Sequence, residues 1–84
     1  MSRYTNKLKS QANNAARGRV VSTALTPNGD DVVLVNGKRS PACNDLADTI
    51  GTKQTIEFLR SNGQAVSAYT LKNHGLLEKR GSGG

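Results

Sequence analysis

The sequence predicts an α+β fold, and three patterns along its 84 residues lead to that prediction. Residues 19–40 carry β-branched runs separated by two Asn-Gly pairs, which are typical of hairpin turns. Residues 40–62 repeat apolar side chains at intervals of three and four, the spacing of amphipathic helices. Residues 64–71 return to strand-favouring residues. Together these patterns predict a basic N-terminal arm or helix, a small antiparallel β-meander, two short helices and one C-terminal strand.

The length allows one domain with a small core, because only 35% of the residues are hydrophobic and the chain has no Trp. The predicted division is a basic arm over residues 1–18, a single small α+β domain over residues 19–80 and a flexible tail over residues 81–84. In the arm, apolar side chains recur at helical spacing at Tyr4, Leu8, Ala12 and Ala15 or Ala16. Polar residues between them weaken a helix, so a frayed helix and a disordered arm ending near Gly18 both fit.

The predicted meander begins with a strand at residues 20–25, followed by a turn at residues 27–29. The run at residues 32–35 is apolar on both faces, which is typical of a central strand. Residues 36–37 form a two-residue hairpin turn, and Pro41 keeps the returning strand short.

The predicted helix pair has clear ends. Ser40 is a good N-cap, and Pro41 suits the first helical position. One face of this helix is apolar, at Cys43, Leu46, Ala47 and Ile50. Gly51 ends it as a left-handed C-cap, and Thr52 caps the second helix, which runs over residues 53–62.

Residues 64–71 fit two structures. As a helix capped by Ser67, the segment would bring Ala68, Leu71 and Lys72 together. Its Val, Tyr and Thr residues favour a strand, which would return to the meander and could lie at its edge.

The sequence offers no constellation for catalysis, a metal or a cofactor. His74 is the only histidine and has no orienting partner nearby, and Cys43 falls on the apolar face of its helix. One Cys and one His are too few for a metal site, and Asp45 and Asp48 fit a solvated helix face. We therefore expect a protein that is not an enzyme and uses no cofactor.

Charge is the strongest functional signal. The net charge is +6, and residues 1–19 contain five bases and no acid, whereas the remainder contains seven bases and six acids. An acid-free basic segment beside a nearly neutral body is typical of nucleic-acid binding. The predicted phosphate-binding residues in this segment are Arg3, Lys7, Lys9, Arg17 and Arg19.

Residues 46–63, "LADTIGTKQTIEFLRSNG", resemble the helix-turn-helix DNA-binding domains of phage and bacterial regulators. Leu46, Ala47, Ile50 and Gly51 match that family by position. The resemblance implies that the second helix lies in the major groove and presents Lys53, Gln54 and Arg60 to DNA. Ile56 and Leu59 come five and eight residues after the glycine, whereas the family usually places them at six and nine. The pair therefore also fits a packing unit with no role in DNA binding.

The predicted function is that of a small, non-enzymatic, phage-like nucleic-acid-binding protein, with DNA preferred over RNA. The alternative is a protein-interaction module or inhibitor that binds a host protein, and a homodimer also fits the small core. A single cysteine excludes an internal disulfide and suggests a reducing compartment. Without a signal-peptide pattern or an apolar run of membrane length, we expect a cytoplasmic protein with no membrane partner.

Overall fold

The computed structural model describes residues 3–76, and within them a four-stranded sheet is covered by helices. The elements follow one another along the chain as α1 (Arg3–Ala16), β1 (Val20–Leu25), β2 (Asp31–Val35), β3 (Lys38–Arg39), α2 (Pro41–Ile50), α3 (Thr52–Ser61), β4 (Ala65–Val66) and α4 (Ala68–Asn73). The predicted α+β class is confirmed. The predicted tail at residues 81–84 lies outside the described residues.

The predicted meander is confirmed. The sheet order is β3-β2-β1-β4, with antiparallel β1–β2 and β2–β3 pairs. The first turn closes where the Thr26 N–H donates to the Asp30 carbonyl at 2.8 Å. In the second turn, Asn36 and Gly37 have φ values of +53° and +83°, as a two-residue hairpin with the right-handed twist of its strands requires.

The first helix settles the choice between helix and disordered arm. Along α1, Leu8, Ala12 and Ala16 are buried in the same core as β1, β2, α2 and α3. Most of the apolar stripe predicted from the sequence thus faces the core, whereas Tyr4 at its start is exposed. The small side chains of Ala12 and Ala16 let the helix backbone approach closely, and the Cys43 thiol lies 3.7 Å from the Ala12 carbonyl oxygen.

The predicted helix pair forms, with two corrections at its turn. The Cys43 N–H donates to the Ser40 hydroxyl at 3.3 Å, which confirms Ser40 as the N-cap of α2. Gly51 has φ +95° and ψ 151°, so it is not in the left-handed helical region that was predicted but in one reached almost only by glycine. Thr52 is not a cap, because it is already the first residue of α3 and Gly51 occupies the cap position.

The predicted C-terminal strand is confined to two residues, and the alternative helix with Ser67 as its N-cap follows it. Only Ala65 and Val66 form strand, pairing in parallel with β1, and α4 begins at Ala68. The Thr70 hydroxyl, brought in by α4, accepts a hydrogen bond of 3.0 Å from the Thr23 N–H of β1. This side chain takes the place that a longer β4 would have had beside β1, so the chain can turn into a helix and bury Thr70 and Leu71.

Candidate nucleic-acid interface

The strand register gathers positive charge at one end of the sheet. Val35 of β2 pairs with Lys38, and the start of β1 lies beside the same hairpin turn. A shallow depression opens between this turn and the C-terminal end of α1, and its lining contains three bases and no acid. We call it the basic cleft; it is lined by Ala15, Arg19, Val35, Asn36, Lys38, Arg39 and Ser40.

Two sets of hydrogen bonds hold the basic cleft together. Asn36 binds the first residue of β1 twice, since its side-chain oxygen accepts from the Val20 N–H at 3.0 Å and its own N–H donates to the Val20 carbonyl at 2.8 Å. The Arg19 Nη1 donates to the Ala15 carbonyl at 3.0 Å, where a cation suits the negative end of α1. Arg19 is therefore held between the helix end and the hairpin.

The nearby acids lie in a separate depression that shares Arg39 with the cleft. Arg39 also borders a second depression, which contains Asp30, Asp31 and Asp48. Asp30 and Asp31 lie at the opposite end of β2 from Lys38, so the sheet is positive at one end and negative at the other. Any polyanion that binds here is directed to the end that carries Arg19 and Lys38.

The outer side of α1 extends the positive surface. Opposite the buried stripe, α1 exposes a face that we call the α1 polar face, made of Asn6, Lys7, Ser10, Gln11 and Asn14. Arg17 is exposed just beyond the helix, two residues before Arg19. Because the first acid of the sequence is Asp30, this face has no carboxylate of its own.

The predicted arm residues do not all share this surface. Lys7, Arg17 and Arg19 are exposed, and Arg3 is the first residue of α1. Lys9 is half-buried instead, with its Nζ 5.5 Å from the centre of the Phe58 ring of α3. This cation–π contact places Lys9 at the seam between α1 and α3.

The predicted residues of α3 lie apart from the basic cleft. Lys53 and Gln54 are exposed, and the Arg60 Nη1 donates to the Leu76 carbonyl at 2.9 Å, which ties down the segment after α4. At 100° per residue, Glu57 lies between Lys53 and Arg60 on the helix surface. A carboxylate therefore stands in the middle of the face that the helix-turn-helix resemblance assigns to DNA.

Sequence reasoning missed Lys38 and Arg39. The signal was present, because an Asn-Gly hairpin turn followed by Lys-Arg places these two bases beside the end of the preceding strand. Only the path of α1, which brings Arg19 back to that turn, shows that these bases border the same depression as Arg19.

Cys43 and His74 have structural contacts. Cys43 is fully buried, and burial raises the pKa of its thiol above its ordinary value of 9.0, opposed in part by a hydrogen bond with Ser40. The His74 Nε2 lies 3.4 Å from the Thr23 hydroxyl oxygen. Residues 3–76 contain no group of three or more metal-binding side chains.

The buried thiol gives the protein a defined response to alkaline pH. We expect the free energy of unfolding to fall as the pH rises above about 9, by up to about 1.4 kcal/mol per pH unit from this group. The sign follows from the raised pKa, because the unfolded thiol ionises first and its contribution is lost as the pH rises through the folded value. Urea unfolding from pH 7 to 10 measures it, with Cys43→Ala as the control that lacks this component. The same pH dependence in both proteins would contradict the assignment.

Among the helices in residues 3–76, none combines the length and the apolar character needed to cross a membrane. No protein-family model, no curated protein and no solved structure matches this chain.

Proposed function

We propose that the protein is a non-enzymatic nucleic-acid-binding protein whose main phosphate-binding surface is the basic cleft together with the adjoining end of α1. The observation that carries the proposal is the acid-free lining of the cleft, which contains Arg19 and Lys38, with Arg39 at its border. Two cations in one shallow depression, with a third at its border, suit the closely spaced phosphates of a nucleic-acid backbone.

The surrounding surface supports the proposal. Lys7 and Arg17 continue the positive charge along the exposed side of α1. A guanidinium has five N–H donors, so the single bond from Arg19 to Ala15 leaves it able to contact a phosphate oxygen as well. A helix end that is already held by the fold loses little conformational freedom when phosphates bind.

The experiment that tests the proposal is a salt titration of binding to random-sequence duplex DNA, followed by fluorescence anisotropy. The test variant is Arg19→Gln with Lys38→Gln. Each lost phosphate contact is expected to lower the slope of log affinity against log salt by about 0.9, so the double variant should lose about two units of slope.

A matched control is present on α3. The variant Lys53→Gln with Arg60→Gln removes the same charges, and Arg60, like Arg19, donates one hydrogen bond to a backbone carbonyl. We expect this control to keep nearly the full slope. A loss confined to the α3 variant would instead place DNA on the helix pair, and no binding by the unchanged protein at low salt would remove the proposal.

The alternative, a protein-interaction module that pairs through a strand at residues 65–71, has only a two-residue edge strand at that place. The proposal therefore rests on charge and does not use the sheet edge.

A further inference from the structure

The α1 polar face carries amide side chains that the stability of α1 does not require. Asn14 is exposed in the last turn of α1, one turn after the exposed Gln11, and Asn forms helix less readily than Ala. A neighbouring amide has a structural partner, since Asn13 accepts a hydrogen bond of 2.7 Å from Gln64. The amides of Gln11 and Asn14 face away from the core, and local stability would be better served by alanine at both positions.

Lys7, Gln11 and Asn14 lie on one ridge of the helix, because they are spaced by four and three residues. Seven residues of helix rise by about 10 Å, which matches about three base-pair steps of 3.4 Å. Amide side chains at such positions can bond to the adenine N6 and N7 in the major groove, and a lysine can bond to guanine. The ridge thus has the chemistry and the length to contact consecutive bases.

We infer that α1, not α3, is the helix that enters the major groove of duplex DNA, with Gln11 and Asn14 contacting base edges while the basic cleft holds phosphates beside the groove. This inference rests on the proposed function and adds sequence reading to it. Two contrasts with α3 support it: the exposed side of α1 has no carboxylate, whereas that of α3 includes Glu57, and α1 ends at the basic cleft.

The inference also predicts which type of duplex the protein prefers. A major groove about 12 Å wide admits a helix in B-form DNA, whereas the deep and narrow major groove of duplex RNA does not. We therefore expect the full chain to bind duplex DNA in preference to duplex RNA of the same sequence.

The test begins with selection of a preferred site from a random duplex DNA library by the full chain. Affinities are then measured for the selected site and a scrambled duplex. Gln11→Ala and Asn14→Ala should each lower the ratio of these affinities by about 5- to 150-fold while leaving binding to the scrambled duplex nearly unchanged. Gln54→Ala, which removes an exposed amide from α3, is the matched control and should leave the ratio unchanged.

A second measurement tests directly whether the protein contacts the major groove. Replacing the purines of the selected site by 7-deazapurines removes the N7 acceptors of the major groove and leaves every phosphate in place. We expect binding by the unchanged protein to weaken about tenfold. Unaltered binding to this duplex overturns the inference, as does salt-dependent binding with no preferred site, although both leave the proposed function standing. An absence of binding to any nucleic acid at low salt overturns the inference and the proposed function together.

Discussion

Replacing Leu46 by alanine is expected to lower the free energy of unfolding by about 2–5 kcal/mol. Leu46 is fully buried in α2, in a core cluster to which α1, the sheet and α3 all contribute. A core of this size supplies only about 3–5 kcal/mol of net stability, so the variant should lose much of it and unfold at a far lower urea concentration than the unchanged protein. Urea unfolding followed by circular dichroism measures the change.

Leu25→Ala is the matched control, because Leu25 is 71% exposed at the end of β1 and loses the same atoms. Its substitution is expected to change stability by no more than about 0.5 kcal/mol. Equal losses in the two variants would mean that α2 does not pack on the core as described. The comparison also matters for binding, because α1 rests on α2, and a protein that unfolds loses the basic cleft with it.

Much of the fold could be predicted because its signals are local. The Asn36-Gly37 pair makes a hairpin wherever two strands flank it, and the Ser40-Pro41 pair begins a helix through its own hydroxyl and fixed φ. The turn at Gly51 was harder, because a positive φ is predictable for glycine whereas its ψ depends on how α2 and α3 pack.

Residues 65–71 show where strand propensity fails to predict the structure. Val66, Tyr69 and Thr70 favour a strand, and the strand does begin, but the decisive contact is the hydrogen bond from Thr23 to the Thr70 hydroxyl. These two residues are 47 positions apart, so no local pattern could reveal it. A tertiary contact of this kind outweighs strand preferences worth about 1 kcal/mol or less.

Part of the candidate site could be predicted from the distribution of charge along the sequence. The acid-free composition of residues 1–19 pointed to Arg17 and Arg19, and both lie in or near the positive surface. The same composition also included Lys9, which packs over Phe58. Charge counts do not distinguish the buried from the exposed side of a helix, and the stripe in α1 was too thin to assign the two sides.

Asn44 has a structural role that no pattern in the sequence predicted. It lies in α2, yet it binds the backbone of β2 twice: its Oδ1 accepts from the Val33 N–H at 2.8 Å and its Nδ2 donates to the Val33 carbonyl at 3.0 Å. The same Nδ2 lies 2.6 Å from the Ser40 carbonyl oxygen. Because β3 ends at Arg39, Val33 has only one backbone bond on this side, from the Ser40 N–H to its carbonyl at 3.2 Å, and Asn44 supplies the acceptor for its N–H.

Asn44→Ala is therefore expected to lower the free energy of unfolding by about 2–3 kcal/mol, although alanine is the better helix former. The loss arises because the Val33 N–H is left without its acceptor beneath α2. The control is Asn62→Ala, which removes one hydrogen bond of 2.7 Å to the Phe58 carbonyl at an exposed helix end and should cost less than about 1 kcal/mol. Amide hydrogen exchange separates the two effects, since the Val33 amide should exchange faster only in the Asn44 variant. Equal stability losses with an unchanged Val33 amide would show that α2 and β2 are not joined through this side chain.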